Sequence, residues 1–288
     1  MQKTINYKTK TKLVEELLKQ ENIKELEKYS FLNKLTFKKE EFADIYFHVG
    51  QLDSQAIKNI NNAKKIIANS HTSKAQIIKE LKITEDKIEV IYPSINMEYK
   101  KPKEVKKEVC KKLEIDAVKK IVFFTAKNMK ASGVLDFINI VMRLNFKNMI
   151  AIIAGDKKQI TNIKFQLSKF DINDKLVLLE DYENIDELFL ASDVFLLPTH
   201  TQNFALNVLK AMYSKCAVFT TSNNAAKEVI DVFSTMEIPS DRSTQFKLDA
   251  LLQNKADMKL IKKQNRKIAK EYTLEKQLAK VNLLIENI

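Results

Sequence analysis

Three short polar segments hold the residues best suited to gripping an anion. Lys127 and Lys130 stand in the stretch Ala126 to Gly133, Gly155-Asp156 opens a second, and Thr199 to Ala205 forms a third that contains His200, Gln202, Asn203, Phe204 and Ala205. Each follows an apolar run that reads as a buried parallel strand: Ile121 to Thr125, Met149 to Ala154, and Asp193 to Leu197, the last stopped by Pro198. Ligands of an open parallel sheet sit outside the carboxyl ends of its strands, so these loops are expected to converge there. Phe204, Val208, Leu209 and Met212 recur at helical spacing behind the cap-capable Thr201 and Asn203. That arrangement predicts a helix, also carrying Lys210, whose unpaired first amides offer a seat for phosphate.

The lysines would act on such a phosphate as point charges, and His200 could contact it or titrate near neutral pH. A plainer reading stands beside each. In so lysine-rich a chain Lys127 and Lys130 are equally read as solvated loop residues, a lone loop histidine as simply exposed, and a glycine at a strand exit as a turn requirement.

The elements needed to position these loops follow from the pattern of the chain. Strands at Ile121, Met149, Leu176 and Asp193 alternate with helices at Gly133 to Leu144, Thr161 to Phe170 and Ile185 to Ala191, and a further strand at Val218 precedes a long helical tail from Leu251 to Ile288. Such alternation predicts an α/β fold, a doubly wound parallel sheet with right-handed crossovers, over 101–288. The first hundred residues read as a reduced α/β segment. Leu13, Leu17 and Leu18, then Leu26, Phe31 and Leu32, predict one or two amphipathic helices with no strand among them. Short strands follow at Ala43 to Val49, Lys65 to Ser70 and Ile88 to Tyr92, with Thr72 or Ser73 capping a helix through Leu81.

Composition narrows the function classes. The 288 residues carry a formal charge of +12, which suits an acidic partner such as nucleotide phosphates or an anionic membrane face. The cations are almost all lysine, with arginine only at 143, 242 and 266, and no stripe of Arg forks and interleaved aromatics argues for nucleic acid. Gly50, Gly133 and Gly155 are the only glycines, which excludes GxGxxG and P-loop cradles. His48, His71 and His200 are scattered, and Cys110 and Cys216 lack metal spacing, so neither a metal nor a cofactor is expected. No apolar run reaches bilayer length, and MQKTINYKTKTKLVEELL has charges where a signal peptide needs its apolar stretch. A cytoplasmic protein is expected, in peripheral contact with the inner membrane face, with the N-terminal helices available to a protein partner.

The segment from Asp193 to Asp231 resembles the donor-nucleotide half of the retaining family 4 glycosyltransferases of the GT-B fold. That family has a proline-ended strand, a Glu-x-Phe-Gly turn and a helix reading Glu-Ala-Met; here stand Gln202-Asn203-Phe204-Ala205 and Lys210-Ala211-Met212. The resemblance implies that Gln202 takes the position of an acid facing the donor sugar and Lys210 that of an acid accepting from the ribose hydroxyls, which an ammonium cannot do. Lys127 falls at the family's phosphate-binding Arg, with Lys130 close to its Lys-Gly. Asn223-Asn224-Ala225-Ala226 replaces a Gly-rich turn. The resemblance runs from about Lys64 to the C-terminus, with a much shorter front half than is usual, and implies that the last helix crosses back onto the first domain. Two functions follow from it: a divergent glycosyltransferase moving a sugar from a nucleotide-sugar to a cell-surface glycan or protein, or an inactive relative kept for binding or scaffolding.

Overall fold

The computed structural model describes residues 2–27, 40–168 and 174–288. Two compact units emerge, one comprising the chain up to Asn96 together with Tyr272–Ile288, the other Met97–Glu271.

The first unit is a five-stranded parallel sheet. Its strands are β1 (Lys3–Tyr7), β2 (Ile23–Glu25), β3 (Ile45–His48), β4 (Lys65–Ala68) and β5 (Ile88–Val90), in spatial order β2-β1-β3-β4-β5. Successive side chains of a strand point to opposite faces, so β3 divides its apolar residues between two cores. Ile45 and Phe47 join Ile5, Leu13, Leu17 and Ile67 on one face, whereas Tyr46 joins Ile60, Ile66, Ile77 and Ile88 on the other. Helix α1 (Lys12–Leu17), capped by Thr11, and the final helix α11 (Leu274–Glu286), through Val281 and Ile285, cover the first face. Helices α2 (Ser54–Asn62) and α3 (His71–Leu81) supply Ile60 and Ile77 to the second.

Four sequence expectations change here. Strands β1 and β2 flank α1 where only helices are expected, because KTINY and IKE bury just one residue each, Ile5 and Ile23, and so carry no apolar run. Leu26 lies beyond β2 in non-helical chain, and Phe31 and Leu32 fall outside the described residues. Ser70, not Thr72 or Ser73, caps α3: its extended backbone lets its hydroxyl accept from the Ser73 amide. Residues Tyr272–Ile288 group with the first sheet rather than with the donor-type domain that the sequence assigns to 101–288.

The second unit contains α4 (Pro102–Lys112), β6 (Lys120–Thr125), α5 (Val134–Met142), β7 (Met149–Gly155), α6 (Lys157–Leu167), β8 (Leu176–Glu180) and α7 (Ile185–Ala191). Then come β9 (Val194–Leu197), α8 (Leu206–Tyr213), β10 (Ala217–Thr221), β11 (Thr235–Met236), α9 (Ser243–Gln253) and α10 (Lys255–Ala269). All six strands are parallel, in the order β11-β10-β9-β6-β7-β8. Both faces are covered, which is why the central strands read as continuous apolar runs instead of alternating. Phe123, Phe189 and Phe195 meet in tilted and edge-on pairs on one side of β6, and Phe124 meets Phe137 of α5 on the other.

Candidate functional site

From β6 the chain winds outward to β7 and β8, then returns to place β9 on the opposite side of β6 and continues to β10 and β11. The direction of winding therefore reverses between β6 and β9. In doubly wound sheets the crevice at such a reversal is the usual ligand position. All three segments singled out in the sequence leave carboxyl ends of this sheet, after β6, β7 and β9.

The first loop is bonded to both others. Ala131 accepts from the His200 backbone amide at 3.1 Å, and Gly133 passes against the carbonyl of Pro198. Across the other side, Gln159 at the start of α6 accepts from the Met129 amide at 2.7 Å and donates to the Lys127 carbonyl at 3.0 Å. Gln159 also donates from its backbone and side-chain nitrogens to Asp156, the N-cap of α6, and these bonds hold the Asp156 carboxyl below its ordinary range. With its backbone fixed on two sides, the loop presents the exposed Lys127 and Lys130 outward, neither making an ion pair among the described residues.

The third loop is organised by Asn224, which is fully buried. Its side-chain nitrogen donates to the carbonyls of Thr201 and Asn203 at 2.9 and 2.7 Å, and its oxygen accepts from the amides of Ala205 and Ala226. Ala225 adds a backbone bond to the Gln202 carbonyl, and Thr221 donates its hydroxyl to the Thr199 carbonyl at 2.6 Å. Asn207, in the first turn of α8, donates to the carbonyl of Thr125 at the end of β6. Gln202 and Asn203 are left exposed at the tip, with Phe204 buried beneath them.

Several expected roles shift. Thr201 and Asn203 do not cap α8; Ala205 occupies the cap position, with no side chain to accept from the first turn, because the Asn224 bonds draw the preceding residues away. Gly155 has no left-handed φ, so no turn requires it. A Cβ there would meet the Met129 methyl at 2.0 Å, and its smallness serves to seat that buried side chain. His200 turns to α5, its Nε2 2.9 Å from Asp136 Oδ2. Lys210 pairs with Asp186 of α7, Nζ to Oδ1 2.8 Å. Gln159, Asn224 and Asp136 escape a sequence reading. Only the Asn-Asn pair in place of a glycine turn gives a signal, since asparagine closes turns with its own side chain.

A reversal point bordered by two exposed lysines and a helix start is an arrangement that can hold an anion. Comparison with known proteins agrees with the topology. A glycosyltransferase from Rickettsia africae is similar over 98% of this chain and 88% of its own, with a TM-score of 0.73 and 19% identity. Anabaena Alr3699/HepE, in complex with UDP and glucose, is similar over 85% of this chain and 71% of its own, at 0.71 and 14%. WaaG, a glycosyltransferase involved in lipopolysaccharide biosynthesis, covers 96% and 97%, at 0.71 and 12%. No curated protein matches the sequence. The two parallel sheets with their helices thus form a GT-B fold, and the family model of glycosyl transferases group 1 matches residues 105–271, more than half of the chain and all of the crevice. The chain belongs to the group 1 glycosyl transferases.

Proposed function

We propose that the protein transfers a sugar from a nucleotide-sugar donor, with retention at the anomeric carbon, to a hydroxyl of a cell-surface glycan or protein acceptor. The observation that carries this reading is the reversal-point crevice, whose first loop is clamped on both sides while Lys127 and Lys130 remain unpaired. In the transfer, the bond between the anomeric carbon and the diphosphate oxygen breaks and a new one forms to the acceptor oxygen, whose proton is released. Negative charge grows on the departing diphosphate. Lys127, Lys130 and the amides opening α8 are the groups of this chain suited to stabilising it, while Gln202 hydrogen-bonds the sugar. Complexes of HepE with UDP and UDP-glucose make uridine donors the first to try.

The test is calorimetric titration with UDP-, GDP- and dTDP-sugars, joined to detection of released nucleotide. Binding by one nucleotide class that falls about tenfold or more in Lys127→Ala is expected, the loss of one charge-assisted hydrogen bond. Silence across the panel would overturn it.

The Lys210–Asp186 pair favours a second reading. Where the family carries an acid for the ribose, this chain holds a cation already paired with Asp186. On that reading the domain binds a partner without transferring sugar, and silence across the nucleotide-sugar panel supports it.

A further inference from the structure

Helix α10 carries Lys255, Lys259, Lys263 and Lys267 at successive i,i+4 positions, followed by Lys270. All five are exposed, and none has an acidic partner among the described residues. Like charges at this spacing stand one above the other and repel, so the row is unfavourable for the helix taken alone. It extends along about 18 Å of the helix axis at the α-helical rise. Beside it, one turn before Lys263 and two before Lys267, lies an exposed apolar side chain of the same helix, Leu260, at 54% of full exposure.

The inner side of α10, which adjoins the row, is firmly seated. Met258 and Ala269 are buried, Asn265 donates to the carbonyl of Cys216, and the Arg266 guanidinium stacks on Tyr99 at 3.2 Å from the ring centre. Lys262 is taken up by Asp193. The outer row is thus not explained by the packing of the unit. At the start of the helix it borders a recess of about 390 Å³ shared with Lys120 and Lys215, at the amino ends of β6 and β10. That is the end of the sheet opposite the crevice.

We infer that this row and the flanking Leu260 form a docking surface for an anionic lipid bilayer. Lysines bind headgroup phosphates as point charges, and a basic helix with an exposed aliphatic residue beside its cations matches the headgroup–acyl boundary. Duplex or single-stranded nucleic acid fits less well: the row has no arginine fork and no exposed aromatic ring for a base to stack on. Because the surface lies away from the crevice, it tethers the protein and does not present acceptor to it, so the inference stands apart from the proposed function.

The full chain is to be tested by co-sedimentation with phosphatidylglycerol-rich and with pure phosphatidylcholine vesicles. Binding only to the anionic vesicles, weakened by salt, is expected, since exposed charges are screened. Each lysine removed costs roughly fivefold, so Lys259→Ala with Lys263→Ala weakens binding roughly 25-fold. Leu260→Asn also weakens it, at unchanged salt dependence. Neither variant unfolds at lower urea than the wild type, because the altered groups are exposed, which excludes misfolding as the cause. Equal vesicle binding by wild type and double variant would overturn the inference. So would capture of duplex DNA, with the same dependence on Lys259 and Lys263, by a protein that ignores both vesicles.

Discussion

A Cβ on Gly133 would stand 1.8 Å from the carbonyl oxygen of Pro198. The loop after β6 and the loop after β9 therefore touch backbone to backbone, at a residue whose φ of +77° is itself left-handed. Only hydrogen fits between them. Gly133→Ala adds the cost of a left-handed non-glycine residue to that of forced separation, together about 2–5 kcal/mol. Urea unfolding should register this, and nucleotide affinity should fall with it because the clamp on Lys127 and Lys130 opens. A variant within 0.5 kcal/mol of wild type, a threshold at the size of ordinary surface changes, would show the contact to be loose.

Asp193 lies at the other end of the sheet, 6% exposed, with Lys106 and Lys262 at 2.7 and 2.8 Å and the Ile121 amide at 3.2 Å. Burial alone would raise its carboxyl, but Lys262 and Lys106 outweigh burial and hold it well below the usual carboxylate range. A depressed folded-state value means the contribution is complete above the unfolded value of about 3.9 and is lost as the pH falls toward the folded one. Asp193→Asn strands the lysine charges and should cost about 3–5 kcal/mol at neutral pH. Its stability should then depend less on pH below about 4 than that of the wild type. Parallel acid limbs in the two proteins would refute the assignment.

Much of the second sheet was legible because a strand buried on both faces is an unbroken apolar word, as in Ile121 to Phe124 and Val194 to Leu197. The first unit was less so. Lys3–Tyr7 is an interior strand, between β2 and β3, yet buries only Ile5 completely, and its neighbours Lys3, Thr4 and Asn6 look like loop. The positions of Lys127, Lys130 and Gln202 at strand ends were readable from spacing. Their support was not: Gln159 is 32 residues from Lys127 and Asn224 is 21 from Asn203, and nothing local marks such pairings.

Exchanging the charges of Lys210 and Asp186 separates the two functional readings. Their side chains are 23% and 30% exposed, so the pair contributes only about 0.2–1 kcal/mol, and either single substitution should be mild. Lys210→Glu combined with Asp186→Lys keeps an ion pair and supplies an acceptor where the family has one. Tighter UDP binding, by about tenfold, is the expected result, the worth of one charge-assisted hydrogen bond. Unchanged affinity in a folded exchange variant would mean that position 210 does not face the ribose.

Asn224 tests whether the third loop is held from below. Truncation to alanine removes four hydrogen bonds at once, leaving the carbonyls of Thr201 and Asn203 and the amides of Ala205 and Ala226 without the partner they now have. Each buried group left unsatisfied costs about 1–3 kcal/mol, less whatever water regains by entering. The expected total is about 3 kcal/mol, with faster hydrogen exchange at Ala205 and Ala226. Asn224→Asp discriminates the cause. It keeps the oxygen that serves both amides but turns a second acceptor toward two carbonyls, so exchange at the amides should stay slow while stability still drops. If instead both variants exchange and unfold like the wild type, the turn from Thr201 to Ala205 is shaped by its own residues, and the buried asparagine merely occupies the space beneath it.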